Sequence, residues 1–156
     1  MRVKLIVVDK TDDKELVPLI DRYVVRIGHY LPFEIKVIPK VKNAAKLPND
    51  KLKELEGKTI LDSIDAGDHV VVLDERGKEF TSLEFAGILE KRKNAGTRQL
   101  VFVIGGAFGF SEAVYHRADS KMALSKMTFT HQMIRLLFVE QLYRACSINR
   151  GEKYHH

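Results

Sequence analysis

Five short apolar runs, separated by segments of helical periodicity, constrain the fold of this chain most strongly. The runs "RVKLIVV" at 2–8 and "HVVVL" at 69–73 are nearly continuous in apolar, mostly β-branched residues. Runs of this kind are typical of strands covered on both faces, as in parallel sheets. Three further strands are predicted at "FEIKVIP" (33–39), "QLVFVIGG" (99–106) and "KMALS" (121–125). Strands that alternate with helices predict an α/β fold, with a mainly parallel sheet and helices on both faces.

The intervening segments carry the start and stop signals of helices. A first helix is expected after the capping candidates at 11–13, with Gly28 as its stop. A second follows between Leu52 and Ile64, and Ser82 and Ser111 begin two more. The segments 40–50 and "ERGKEFTS" at 75–82 are expected to be loops. A chain of 156 residues, 45% of them hydrophobic, can bury one core, so residues 1–156 are expected to form a single domain.

The last helix is unusual because it is apolar in nearly every direction. The segment "LSKMTFTHQMIRLLFVEQLYRA" at 124–145 is polar in its first half, whereas residues 136–139 are apolar in unbroken succession. A helix that is apolar all round is normally buried all round. In so small a domain, the second side is best covered by another subunit, so we expect a homodimer with Leu137 and Val139 pointing outward.

Polar or glycine residues mark three of the predicted strand ends. These are Leu73-Asp74, Gly105-Gly106 and the segment 125–128. Because ligands bind at the carboxyl ends of the strands in open parallel sheets, these segments are expected to meet at one site. The spacing in "IGGAFGF" is not that of G-x-G-x-x-G, which disfavours a dinucleotide-binding fold. The adjacent glycines either allow a close approach to a ligand or serve only a turn, and both interpretations stay open.

Other classes of protein are disfavoured by what the sequence contains. The single cysteine, Cys146, provides no disulfide framework, and the six histidines have no metal-ligand spacing, so no metal is expected. Ser125 and His131 lack the G-x-S-x-G context of a hydrolase nucleophile. No secretion signal or membrane span is expected, which suits a cytoplasmic protein. The net charge of +5 favours a polyanionic partner without being diagnostic of one.

Two arginines interrupt the last helix. Arg144 is expected to pair with Glu140 one turn earlier on a solvated face. Arg135 lies one turn after His131 on the same face, beside the polar strand-end segment. That spacing predicts that Arg135 contacts an anion at the rim of a site.

Several motifs closely resemble those of the RlmH family of SPOUT-class ribosomal RNA methyltransferases. They are "LDERGKEF" at 73–80, "FVIGGAFGFS" at 102–111, "LSKMTFTHQMIRLLFVEQLYRA" at 124–145 and the terminal "RGEKYHH" at 150–156. The resemblance covers the whole chain and implies the SPOUT α/β knot, in which a C-terminal trefoil knot forms as the chain threads through a loop. It also implies a homodimer that uses S-adenosylmethionine to methylate N3 of a pseudouridine in 23S rRNA on the assembled ribosome.

The resemblance assigns roles to particular positions. Residues that match the cofactor-binding motifs are Leu73, Gly105, Gly106, Leu124, Ser125, Lys126, Met127, Thr128 and Phe129. Residues that match the substrate site are His131, Arg135, Tyr154 and His155. His155 is the first candidate for the general base, with Tyr154 and His131 as others. The chain departs from the family in having Thr130 where a proline is common, and His156 where a fixed cation is common.

Two alternatives belong to other functional classes. One is a non-catalytic ribosome-binding or RNA-binding protein of the same fold that no longer binds the cofactor. The other is a nucleotide-binding protein of the flavodoxin-like class. The double glycine and the "LSKMTF" motif favour the methyltransferase over the non-catalytic protein, and binding of S-adenosylmethionine separates these two. Copurification with flavin, without binding of S-adenosylmethionine, would favour the flavodoxin-like protein.

Overall fold

A single sheet of five parallel strands organises the molecule. The computed structural model describes residues 1–153; Tyr154, His155 and His156, to which the tail predictions refer, lie outside the described residues. The strands lie in the order β2-β1-β4-β3-β5, and every adjacent pair is parallel. Their bounds are β1 Arg2–Val8, β2 Phe33–Ile38, β3 His69–Glu79, β4 Gln99–Ile104 and β5 Ser120–Ala123. The expected parallel α/β sheet is therefore confirmed.

Helices cover both faces of the sheet. They are α1 Leu16–Gly28, α2 Asn49–Asp62, α3 Ser82–Asn94, α4 Glu112–Arg117 and α5 Met133–Asn149. Alternate side chains of β1 enter separate cores, since Leu5 and Val7 pack with α1, α3 and α5, whereas Ile6 and Val8 pack with residues of α2 and α4. The near-continuous apolar runs are explained by this burial on both faces.

The third strand is longer than the sequence predicts. The loop expected at 75–82 is wrong for residues 75–79, because β3 continues to Glu79 and pairs with β5. Both Leu73 and Lys78 are in register with Met122, so residues 74–77 bulge out of the ladder. A Cβ at Gly77 would lie 2.7 Å from the backbone N of Met122, which restricts this position to glycine.

Helix starts are fixed by local hydrogen bonds. Helix α3 begins at Ser82, as the sequence predicts, and Thr81 before it caps the helix through a reciprocal capping box with Glu84. Ser111 caps α4 by accepting from the backbone N of Val114, as the sequence predicts. Before α1, the carboxylate of Asp13 accepts hydrogen bonds from the backbone nitrogens of Glu15 and Leu16. Capping signals in the sequence therefore locate these starts to within a few residues.

Helix α5 is buried mainly within its own chain. Phe138, Val139 and Leu142 are fully buried in the core formed with α1 and α3, so the expectation that Val139 points outward is wrong. Leu136 and Leu137 are only half-buried. The homodimer and the trefoil knot stay predictions. Within residues 1–153, no helix is long and apolar enough to cross a membrane.

Candidate functional site

The marked strand ends meet at one cavity, which lies at the carboxyl edge of β3, β4 and β5. Its volume is about 600 Å³. The residues of the expected cofactor site that line it are Leu73, Gly105, Gly106, Leu124, Ser125, Met127, Thr128 and Phe129. His131 lines it as well, as do Ile104, Phe110 and Ile134. The sequence therefore located the cavity, although whether these residues bind a cofactor stays a prediction.

One wall is the glycine loop, which we define as residues 105–109. Gly109 has a φ of 85°, which favours glycine, and its backbone N donates to the carbonyl of Gly106 at 3.2 Å. A Cβ at Gly105 would lie 3.1 Å from the ring of Phe110. A Cβ at Gly106 would lie 2.6 Å from a carboxylate oxygen of Glu56. Both side-chain positions are thus closed by packing of the protein itself, and a branched side chain there would not simply project into the cavity.

Glu56 lies against the glycine loop from helix α2 and was not singled out by the sequence. Its two carboxylate oxygens would be 2.6 Å and 2.7 Å from a Cβ built on Gly106. Glu56 is only 9% exposed, and burial raises the pKa of its carboxyl. A buried glutamate in a helix has no local sequence signal, because only the fold brings it under the loop.

The opposite wall is the segment 124–131, which we call the hydroxyl loop after its serine and threonines. The hydroxyl of Ser125 accepts from the backbone N of Met127 at 2.9 Å, which turns the chain. Met127 is 76% exposed and Phe129 is 42% exposed, although both line the cavity. Lys126 does not line it; its ammonium group lies 3.6 Å from Glu79 and its side chain is 86% exposed. This wall therefore offers apolar side chains to a ligand without packing them into the core.

A polar cluster of Asp74, Arg76 and Tyr115 forms a third side of the cavity. The Tyr115 hydroxyl donates a short hydrogen bond to the Asp74 carboxylate, and Arg76 Nη2 donates to the Tyr115 oxygen at 3.2 Å. The backbone N of Arg76 donates to Asp74 at 2.9 Å. Sequence reasoning marked Asp74 but missed Tyr115, because Tyr115 comes from α4 and meets Asp74 only in the folded sheet.

These contacts set the ionisation of the cluster. Burial acts to raise the pKa of Asp74, but the hydrogen bonds from Tyr115 and Arg76 outweigh it, so that the pKa is lowered. The pKa of Tyr115 is raised by burial and by its bond to Asp74. At neutral pH, Asp74 is therefore a carboxylate and Tyr115 a neutral donor.

Arg135 is not at the rim of this cavity, which corrects its expected placement. Its side chain is 1% exposed, and it donates to the carbonyl of Val8 at 2.7 Å and to the Thr11 hydroxyl at 2.9 Å. Burial lowers the pKa of Arg135. The guanidinium therefore connects α5 to the end of β1. This contact explains why an arginine interrupts the apolar sequence of the helix.

Three further predictions concern an ion pair in α5, metal ligands and the cysteine. Glu140 and Arg144 form the expected i,i+4 pair, with 2.6 Å between Oε1 and Nη2. Within residues 1–153, no group of three His, Cys, Asp or Glu side chains is placed to hold a metal ion. Cys146 is a free, buried thiol whose pKa is raised by burial to about 11, which suits a packing role.

Comparison with known proteins extends over the entire fold. A family model described as "Predicted SPOUT methyltransferase" matches residues 1–155. Proteins named "Ribosomal RNA large subunit methyltransferase H" are similar over 156 residues, covering 100% of this chain. The one from Parabacteroides distasonis is 53% identical with 99% of its length covered, and the one from Cytophaga hutchinsonii is 51% identical with 100% covered.

A solved structure supports the fold independently. The crystal structure of a "Probable Methyltransferase" from Bordetella pertussis aligns with a TM-score of 0.58, covering 93% of this chain and 96% of that one. Its sequence is 14% identical, so this likeness concerns the fold alone. The family match over nearly the whole chain and the relatives at about half identity lead to one conclusion: this chain belongs to the SPOUT methyltransferase family.

Proposed function

We propose that this protein transfers a methyl group from S-adenosylmethionine to N3 of a pseudouridine in 23S rRNA of the assembled ribosome. The names of the relatives support large-subunit rRNA as the substrate class. The observation that carries the proposal is the cavity at which three strand ends of a SPOUT-family chain meet. A substrate in the ribosome implies action in the cytoplasm.

The lining of the cavity fits the cofactor. A volume of about 600 Å³ lies in the range of small-molecule sites. Ile104, Leu124 and Ile134 give apolar walls for an adenine ring, and the two loops bring backbone donors and acceptors to the same space. The hydroxyls of Ser125 and Thr128 supply additional polar groups. Leu73, Gly105, Gly106 and the segment 124–129 are thus proposed to bind S-adenosylmethionine, with Lys126 holding its place in the segment through its ion pair with Glu79.

The chain must align the reacting atoms and accept a proton. When bound, S-adenosylmethionine supplies an electrophilic methyl group on a sulfonium. The chain then holds the pyrimidine so that N3 faces this methyl group, and a general base takes the imide proton. His155 is proposed as that base, with Tyr154 and His131 as candidates. Of these residues, His131 lies in the described part of the chain, in the cavity wall.

Tyr154 and His155 are also proposed to complete the substrate site, because an aromatic ring can stack on an unpaired base. Deleting residues 153–156 should leave cofactor affinity nearly unchanged and abolish methyl transfer. Removal of one stacking interaction alone is expected to cost about 1–3 kcal/mol. Wild-type transfer by the truncated protein would show that the tail is dispensable.

A homodimer is proposed to cover the half-buried apolar side chains of α5, including Leu136 and Leu137. Leu137→Glu should weaken association, because a charge would be buried without a partner. Sedimentation at micromolar concentration tests this, and a well-folded wild-type monomer would contradict it.

The proposed activity is tested by methyl transfer to whole ribosomes and to naked rRNA. Mass spectrometry should locate one added methyl group on a pseudouridine of large-subunit rRNA, with ribosomes as the better substrate. Calorimetry with S-adenosylmethionine separates the enzyme from a non-catalytic protein of the same fold. If S-adenosylmethionine does not bind at millimolar concentration, the proposed activity is wrong.

A further inference from the structure

The end of β2 and the segment that connects it to α2 carry an excess of positive charge, from Lys36 in the strand and three lysines after it. Residues 35–49 contain Lys36, Lys40, Lys42 and Lys46 and no aspartate or glutamate. We call residues 36–46 the lysine loop. The net charge of this short segment is therefore +4, against +5 for the whole chain.

The lysine loop leaves the sheet at the same edge as the cavity. β2 and β1 are parallel, and the backbone N of Asp9 donates to the carbonyl of Ile38 at 2.8 Å, just where both strands end. β1 is followed in the sheet by β4, which ends at the glycine loop. Since neighbouring strands are about 4.8 Å apart, β2 and β4 are separated by roughly 10 Å. The loop and the cavity are therefore close enough to contact one extended ligand.

The lysine loop has a defined conformation. Asn43 has a φ of 57° and starts a turn of 3₁₀ helix at Ala44–Lys46. The backbone N of Lys46 donates to the Asn43 carbonyl at 2.9 Å, and that of Leu47 donates to the Ala44 carbonyl at 3.2 Å. Val41, Ala44 and Leu47 are half-buried, whereas all four lysines are exposed. The apolar residues thus anchor a loop whose ammonium groups face solvent.

The loop is also joined mechanically to the cavity. It leads directly into α2 at Asn49, and two turns later Glu56 of the same helix lies against Gly106. A helix rises about 1.5 Å per residue, so these two positions are roughly 10 Å apart along its axis. The lysine loop therefore leads into a helix that itself contacts the glycine loop.

The charge of these lysines is not balanced by ion pairs within residues 1–153. Within residues 1–153, none of the four lysines takes part in an ion pair, whereas nearby Lys4, Lys51 and Lys53 each lie within 3.9 Å of a carboxylate oxygen. Like charges that lie close together repel one another, which opposes folding. Ammonium groups bind phosphate as point charges without reading base sequence.

We propose that the lysine loop binds phosphates of the RNA strand that carries the target nucleotide, outside the cavity itself. This inference rests on the proposed function, because the polyanion is the rRNA substrate. Lys40 and Lys42 directly follow the end of β2, at the edge of the sheet, and are expected to make the main contacts. Their role is to hold the substrate in register, so that they affect substrate binding and not the chemical step.

A matched pair of double variants tests the inference. The test variant is Lys40→Ala with Lys42→Ala, and the control is Lys91→Ala with Lys93→Ala. Lys91 and Lys93 are exposed in the last turn of α3. This turn leads into the start of β4, so it lies at the edge of the sheet opposite to the cavity. Both variants remove two positive charges. KM and kcat for ribosomes are measured at several KCl concentrations, and cofactor affinity is measured by calorimetry.

The test variant should raise KM for ribosomes about tenfold at physiological salt, with kcat and cofactor affinity unchanged. The slope of log KM against log [KCl] should fall by about 0.7–0.9 for each phosphate that the variant no longer neutralises. The control should match the wild type in KM and differ little in slope. Equal KM values for the two variants, or a higher KM with an unchanged salt slope, would overturn the inference. Wild-type protein that methylates no ribosomes would instead contradict the proposed function, and ribosome binding by sedimentation would then compare the two variants directly.

Discussion

The two walls of the cavity are built on opposite principles. The glycine loop is packed closely against other side chains of the protein, with Phe110 next to Gly105 and Glu56 next to Gly106. The hydroxyl loop holds its shape through short-range hydrogen bonds that Ser125 and Thr130 accept from nearby backbone nitrogens. Its apolar side chains, Met127 and Phe129, are largely exposed.

This difference separates folding from binding. A side chain introduced at Gly105 or Gly106 would clash with buried atoms, so it should alter stability and ligand affinity together. A change in an exposed side chain of the hydroxyl loop affects only its interactions with a ligand, so it should alter affinity alone. A variant of the glycine loop that changes affinity alone, or a variant of the hydroxyl loop that changes stability, would contradict this separation.

The largest expected effect comes from Gly106→Val. Its Cβ would lie 2.6 Å from Glu56, and overpacking of this kind costs about 1–3 kcal/mol of unfolding free energy. The displaced loop should also bind S-adenosylmethionine at least tenfold more weakly. Urea unfolding and calorimetry measure the two effects.

The cause can be isolated by a double variant. Gly106 has no positive φ, so a clash with Glu56 and not backbone strain should dominate. Gly106→Ala combined with Glu56→Ala should thus recover part of the stability lost in Gly106→Ala alone. Gly87→Ala is the control, because a Cβ built on Gly87, on the exposed face of α3, would have no neighbouring atom within 4 Å. This change should stabilise the folded protein by about 0.5–1 kcal/mol. Absence of any coupling between positions 56 and 106 would refute the packing explanation.

The next effect concerns the other wall. Met127→Ala and Phe129→Ala should each change the unfolding free energy by less than about 0.5 kcal/mol, as is usual for exposed residues. If a bound ligand covers these side chains, each variant should lose about 1–3 kcal/mol of binding free energy. Calorimetry with the cofactor and KM for ribosomes tell which ligand is covered. A variant that unfolds more easily yet binds normally would reverse the comparison.

The fold was largely predictable because its signals are local. Near-continuous β-branched runs and cap residues such as Ser111 mark the strands and helix starts. The cavity was predictable for a topological reason, since parallel strands bring their carboxyl ends to one edge. The extension of β3 was not, because the bulge at 74–77 depends on the close approach of Gly77 to Met122 in another strand.

The site residues that were missed or misplaced share a physical cause. Glu56 and Tyr115 come from helices remote in sequence, and only packing brings them to the cavity. Arg135 has the spacing of a rim residue, but helical spacing cannot tell an exposed cation from one that reaches a buried carbonyl. Burial of α5 residues such as Val139 within the chain likewise depends on tertiary contacts with α1 and α3.

A smaller effect is expected from Tyr115→Phe on the third side of the cavity. This change removes the hydroxyl that donates to Asp74 and accepts from Arg76. Loss of a hydrogen bond to a charged group costs about 1.5–3 kcal/mol when the group is left unpaired, and less here because the backbone of Arg76 still donates to Asp74. The pKa of Asp74 should rise, because one of the bonds that lower it is removed. NMR titration of the Asp74 carboxyl measures the shift, and an unchanged pKa would contradict the role assigned to Tyr115.

The smallest effect expected is the pH dependence of the stability of Glu56→Gln. Burial raises the pKa of Glu56 in the folded protein. A raised carboxyl pKa means that its contribution to stability is fully present below the unfolded-state pKa and is lost as pH rises through the folded-state pKa. Glutamine resembles the neutral acid, so Glu56→Gln should equal the wild type in stability at acidic pH and exceed it progressively toward neutral pH. The gain should be modest because Glu56 retains some solvent access. Urea unfolding between about pH 4 and pH 8 measures it, with Glu54→Gln as an exposed control on the same helix. Because Glu56 supports the glycine loop, cofactor affinity should follow the same pH trend, whereas Met127→Ala should show no such trend. A stability gain from Glu56→Gln that is constant with pH would mean that the charge of Glu56 does not destabilise the folded protein.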